Sequence, residues 1–149
     1  MGRRDEMVEA EDRGWAEIGG NLGRLSPEQM QEPGATADGW TVKDILWHLC
    51  CWTAEAARQL ERIHMGTYVE QDWDTDGLNA RYLEEGRGQD LATVRAELAA
   101  ARSRVMAEWA QIDELTPAAE EWFEESGALH YHDHLAELRA FADRVASSG

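Results

Sequence analysis

Apolar residues recur at three- and four-residue steps along most of the chain, and no stretch alternates strictly enough to read as a strand. The spacing predicts a first helix from about Asp5 to Leu25, with Val8, Trp15, Ile18, Leu22 and Leu25 on one stripe. Gly14, Gly19, Gly20 and Gly23 weaken its later half, which either frays or packs closely. Ser26-Pro27-Glu28-Gln29 is a capping box with proline at the first helical position, and it starts a short turn of helix. Pro33-Gly34-Ala35 opens a loop that runs to Gly39. A second long helix follows Trp40-Thr41, with Thr41 as cap and Asp44 three residues on. Its core stripe is Ile45, Leu49, Trp52, Ala56, Leu60 and Ile63, and Gly66 ends it.

Thr67 to Gly88 is mixed: Trp73-Asp74-Thr75-Asp76-Gly77 reads as a loop and Leu78 to Glu85 as a short helix. The segment is long enough to run from one end of a bundle to the other. Asp90 caps a third long helix whose Leu91, Val94, Leu98, Ala101, Val105, Trp109 and Ile112 keep a heptad-like rhythm. Thr116-Pro117 opens a short segment through Trp122-Phe123, and Ser126-Gly127 breaks it. The last helix is expected from about Leu129 to Ala146, with His134, Leu138, Phe141 and Val145 on one stripe and Ser147-Ser148-Gly149 as a loose tail. Four long amphipathic helices with one long connection predict an all-α, four-helix bundle, a single domain over residues 1–149 with short extra helices in the connections.

Hydrophobic residues make up 43% and charged residues 30% of the chain, the composition of an ordinary globular domain. The formal net charge of -16 disfavours nucleic acid and anionic membranes, because phosphate surfaces need Lys and Arg to neutralise them. No apolar run is long enough to span a bilayer, and Met1 to Glu6 has no apolar stretch behind its arginines, so it does not read as a secretory signal. The two cysteines, Cys50 and Cys51, are adjacent and form no disulfide framework, which suits a reducing cytoplasm. A small molecule is the expected partner. A homodimer is open by base rate, with no interface legible.

The five histidines carry the chemistry. His130 and His134 are four residues apart, so a helix puts both rings on one face, a spacing that offers two nitrogens to one metal ion. Leu138, Phe141 and Val145 continue that stripe, so the pair looks inward. His48 lies between Ile45 and Trp52 beside the core stripe of the second helix. Three inward imidazoles with an open position match a catalytic-type zinc site, or a nickel or iron site. A hydrogen-bonded core histidine, or a surface cluster, would give the same spacing. His132 points away from the pair on a helix; on a strand His130, His132 and His134 would share a face. His64 sits near a helix end, where its charge would meet the dipole.

Gly39-Trp40-Thr41-Val42-Lys43-Asp44-Ile45-Leu46-Trp47-His48-Leu49 resembles the helix-two signature of the DinB-like superfamily: a Trp, a polar residue, Val-Lys-Asp and a metal-site His. His130-Tyr131-His132-Asp133-His134 resembles that family's closing His-x-x-x-His, and Leu25-Ser26-Pro27-Glu28-Gln29 with Pro33 fits its lead-in. The nearest type looks like the mycothiol-dependent maleylpyruvate isomerase N-terminal domain. The resemblance implies an up-up-down-down four-helix bundle with His48, His130 and His134 as ligands to one divalent metal ion, zinc first and nickel second. It also implies a low-molecular-weight thiol, such as mycothiol or bacillithiol, as co-substrate. Asn79, in Leu78-Asn79-Ala80-Arg81, resembles an Asn-Ala element of some relatives and is a candidate pocket residue.

Asp44 and Cys51 are further pocket candidates: Asp44 four residues before His48, against a plain capping role, and Cys51 three residues after it, against plain packing. Glu124 and Glu125 read as surface acids. Trp15, Trp52 and Trp109 fall on core stripes; Trp40 and Trp47 flank the site, and Trp73 and Trp122 are placed to cover it. Two function classes follow. One is a metal-dependent enzyme, a thiol-dependent transferase or isomerase or a hydrolase. The other is a non-catalytic, resistance-type protein that binds or sequesters a small molecule.

Overall fold

The computed structural model describes residues 2–148, which form α-helices and one 3-10 turn with no strand. The helices are α1 (Arg3–Leu22), α2 (Val42–Met65), α3 (Thr75–Arg87), α4 (Leu91–Ala110), α5 (Pro117–Ser126) and α6 (Ala128–Ser148). The 3-10 turn at Gln29–Gln31 is all that follows the Ser26 capping box. α2 starts where the Thr41 hydroxyl accepts from the Asp44 amide at 3.0 Å and the Asp44 carboxylate accepts from the Thr41 amide at 2.9 Å. It ends at Gly66, whose φ of 77° lies in the left-handed region that a Cβ disfavours. Asp90 and Thr116 cap α4 and α5.

Some boundaries differ from expectation. α1 stops at Leu22 rather than Leu25. α3 begins at Thr75 rather than Leu78, because the Asp74 side chain accepts from the Gly77 amide at 3.1 Å and caps it. α6 runs through Ser147 and Ser148, expected in a loose tail; Gly149 lies outside the described residues.

α1, α2, α4 and α6 form the expected four-helix bundle, but their directions are not up-up-down-down. Met7, near the start of α1, packs in one cluster with Leu60 and Trp109, while Ile18 packs in another with Ile45 and Val94. α2 and α4 therefore run side by side in the same sense, opposite to α1. The Lys43 ammonium donates to the Gln89 carbonyl at one end of that pair, and Arg104 meets Glu61 toward the other. α6 runs parallel to α1: Tyr131 packs on Gly14, and Arg24 meets Asp143 at 2.6 Å. The order is up-down-down-up. It needs one crossover, the segment from Gly66 to Asp90 with α3 in it, while the links from α1 to α2 and from α4 to α6 reverse direction.

Close approach explains two glycines. A Cβ on Gly14 would sit 2.8 Å from the Tyr131 ring, and one on Gly86 would sit 2.5 Å from Trp47. Gly14 is thus closely packed, whereas Gly19 and Gly20 are exposed and a Cβ on either would meet nothing within 4 Å; Trp47 anchors α3 to α2 instead of flanking the histidines.

The sequence pattern did not single out Glu11, which is 1% exposed. Its carboxylate accepts from Arg102 Nε and Nη2, the shortest bond being 2.6 Å, and from the Tyr131 hydroxyl at 2.8 Å. One buried charge thereby joins α1, α4 and α6, with every nearby donor aimed at it. Burial and the Glu11 charge push the Tyr131 phenol well above its usual range, so it stays a donor. Glu11→Ala should cost about 3 kcal/mol in denaturant unfolding, because it strands the Tyr131 hydroxyl and leaves Arg102 only the exposed Asp12, at 2.7 Å. Arg102 keeps some solvent contact, which holds the loss near the low end; unchanged unfolding would refute the role of this triad.

Candidate metal centre

α2 places His48 two turns after its cap, between the fully buried Ile45 and Leu49. α6 places His130 and His134 one turn apart, facing it. The ring centroids are 4.8 Å apart for His48 and His130, 5.2 Å for His48 and His134, and 5.1 Å for His130 and His134. One nitrogen from each ring lies within 4.8 Å of the others. His132 and His64 are exposed and belong to no such group.

The donor set fits a divalent ion. Nδ1 of His48 and Nδ1 of His130 are buried with no hydrogen-bond partner among the described residues, which is costly for an imidazole unless something takes up its lone pair or proton. His134 Nδ1 lies 3.0 Å from the Glu137 carboxylate, the arrangement that fixes a ligand's tautomer and leaves its other nitrogen for a metal. Three imidazole nitrogens this close would suit a divalent ion held by His48, His130 and His134. Burial, then the neighbouring rings, lowers the His48 pKa to about 4 and the His130 pKa to about 3. Both rings are neutral at pH 7, the form a metal needs. The Trp40 ring stands edge-on to His48 at 5.4 Å and closes that side.

His48 and His130 form part of the wall of a cavity of about 290 Å³, near the lower end for small-molecule sites. The rest of the wall is mostly aromatic and acidic, with Trp52, Tyr68, Trp73 and Trp122 beside Glu70, Glu121 and Glu125, and it is completed by the neutral polar Thr75, Asn79 and Ser126. Trp52, expected in the core, is instead half-buried on this wall, held by its indole N–H to Asn79 Oδ1 at 2.7 Å. Trp73 and Trp122 cover the cavity as expected, and Asn79 lines it. Glu125 belongs to the wall, whereas Glu124 is paired with Arg3. Asp44 does not line the cavity; both its bonds close the capping box. Cys51 does not line it either. Tyr68 and Glu70 were missed because they lie on an irregular connection where no periodicity assigns a face.

The fold and the histidine group define a DinB-like helical bundle. Residues 12–122 match the mycothiol maleylpyruvate isomerase N-terminal domain, and the chain belongs to that family. The match includes His48 and Asn79 and ends before His130. An uncharacterised protein from Escherichia coli UTI89, known from a crystal structure, has the same fold with a TM-score of 0.81 at 15% identity, over 96% of this chain and 94% of that one. At that identity the likeness concerns fold alone. A search of curated proteins finds no match.

With metal removed, the unfolded chain takes up protons between pH 6.5 and about 4 that the folded His48 and His130 refuse, so stability should fall as pH falls through that window. Unfolding of chelator-treated protein from pH 8 to 4 checks this. His130→Asn should flatten the slope; a curve parallel to the wild type would contradict the assignment.

Proposed function

We propose that this protein is a metal-dependent enzyme that uses a low-molecular-weight thiol, a transferase or isomerase of the mycothiol type, with hydrolysis as the other reaction the same centre supports. The observation that carries the reading is the convergence of three imidazoles beside a cavity of small-molecule size. His48, His130 and His134 would hold the ion. An ion held there would lower the pKa of a thiol or water bound beside these three neutral nitrogens. Glu137 orients His134, and Trp40 packs against His48.

The chain's own thiols do not supply the nucleophile. Cys50 and Cys51 are absent from the cavity wall, and burial, followed by nearby negative groups, pushes them up to about 11 and about 12. A thiol that reacts here arrives as a co-substrate, in keeping with the mycothiol of the family's name. One observation favours a second reading, a resistance-type protein that sequesters a small molecule: much of the cavity wall is aromatic and independent of the histidines. Metal-dependent turnover supports the first reading. Stoichiometric binding that survives metal loss, without turnover, supports the second.

Elemental analysis of the purified protein should find about one ion per chain after loading with zinc or nickel. His48→Ala and the double change His130→Ala/His134→Ala should lose it, while His132→Ala and His64→Ala keep it. Glu137→Gln should weaken affinity about 10- to 100-fold. Equal metal content in all variants would overturn the centre. Metal-dependent consumption of mycothiol with a panel of electrophilic acceptors of differing charge then tests the thiol reaction.

A further inference from the structure

The same cavity has a chemical bias that the histidines do not explain. No Lys or Arg lines it, while Glu70, Glu121 and Glu125 do. Trp73 meets Trp52 at 6.2 Å with an interplanar angle of 65°, and meets Trp122 at 5.3 Å and 74°. Trp73 stands steeply to both neighbours, so the three indoles form an angled aromatic corner of the wall rather than a stack. Two of the indole N–H groups are already occupied, Trp52 on Asn79 and Trp122 on the Tyr68 hydroxyl at 3.4 Å. The Tyr68 hydroxyl in turn donates to Glu70 at 3.0 Å. These bonds set the planes of the two rings and occupy their N–H groups. Thr75, Asn79 and Ser126 add neutral polar groups to the wall, and its formally charged side chains are the three carboxylates. Indole rings and carboxylates both attract positive charge. The three carboxylates are exposed at the mouth, and the same wall reaches inward to His48, which is 8% exposed with its Nδ1 unpartnered.

Resting on the reading of this cavity as the substrate site, we infer that its ligand carries a positive charge: an alkylated ammonium or similar organic cation, seated against Trp52, Trp73 and Trp122 inside the carboxylates of Glu70, Glu121 and Glu125. Electrostatics oppose an anionic ligand there. Three carboxylates outweigh even a bound divalent ion, and the net charge of -16 steers cations toward the molecule and anions away. Burial, then Glu121 and Glu124, raises the Glu125 carboxyl above its usual range, a repulsion that a neighbouring cation relieves. Glu121 and Glu125 have no hydrogen-bond or ion-pair partner among the described residues, so both are available to a ligand.

The test uses chelator-treated protein, so the cage is read independently of the metal centre: metal analysis can fail while cation binding holds, and the reverse. Benzyltrimethylammonium, benzyl alcohol and benzoate are titrated by calorimetry and tryptophan fluorescence. The cation should bind about tenfold more tightly than the alcohol, with benzoate weaker still. The exposed pair Glu121→Gln/Glu125→Gln should fold normally and lose most of that preference, and Trp73→Leu should weaken the cation more than the alcohol. Benzoate or benzyl alcohol binding as tightly as the cation, no binding of the cation, or a glutamine double variant with unchanged preference would overturn the inference.

Discussion

The bundle depends on one buried carboxylate. Glu11 of α1 has no water to solvate it, so Arg102 of α4 and Tyr131 of α6 must both reach it. A buried charge of this kind specifies geometry more than it adds stability, because only one arrangement of the three helices satisfies it. Tyr131 lies between His130 and the rest of the closing motif. Holding its hydroxyl on Glu11 sets the rotation of α6 about its own axis. A helix turned by one residue would move His130 and His134 by about 100° and take them off the face opposite α2. The histidine group therefore rests on a bond made from the adjacent face of its own helix.

The direction order has an equally direct consequence. Because α2 and α4 run the same way, the chain must travel the length of the bundle between them. That crossover contributes Tyr68, Glu70, Trp73 and Asn79 to the cavity, and α5 contributes Glu121, Trp122 and Glu125 from the opposite link. The long helices supply the imidazoles and Trp52, and the connections supply most of the rest of the recess. Such a division places rigid elements where ligand geometry matters and leaves ligand choice to segments whose sequence is free to change.

The helices were legible because local chemistry sets them. Thr41 and Asp44 form their capping box from a four-residue pattern, Gly66 stops α2 for want of a Cβ, and Asp90 and Thr116 cap as their positions require. The shared face of His130 and His134 follows from helical spacing alone, and the apolar stripe after them already points it inward. That His48 meets them is a tertiary fact, because spacing within one helix says nothing of which face of another helix it will find. Trp52 shows the limit: its place on the α2 stripe reads as core, yet that part of the stripe faces a recess left by the crossover and α5.

The sequence by itself determined the number of long helices, the capped starts of α2 and α4, the Gly66 stop of α2, and which imidazoles look inward, since each follows from contacts within a few residues. Only the tertiary structure decided the up-down-down-up order, the convergence of His48 with the α6 pair, the triad at Glu11, and the aromatic and acidic wall of the cavity. The physical reason is separation along the chain. Caps and stripes are fixed by neighbours three or four residues apart, whereas Glu11 reaches Tyr131 across 120 residues, a contact that only the packed bundle can select.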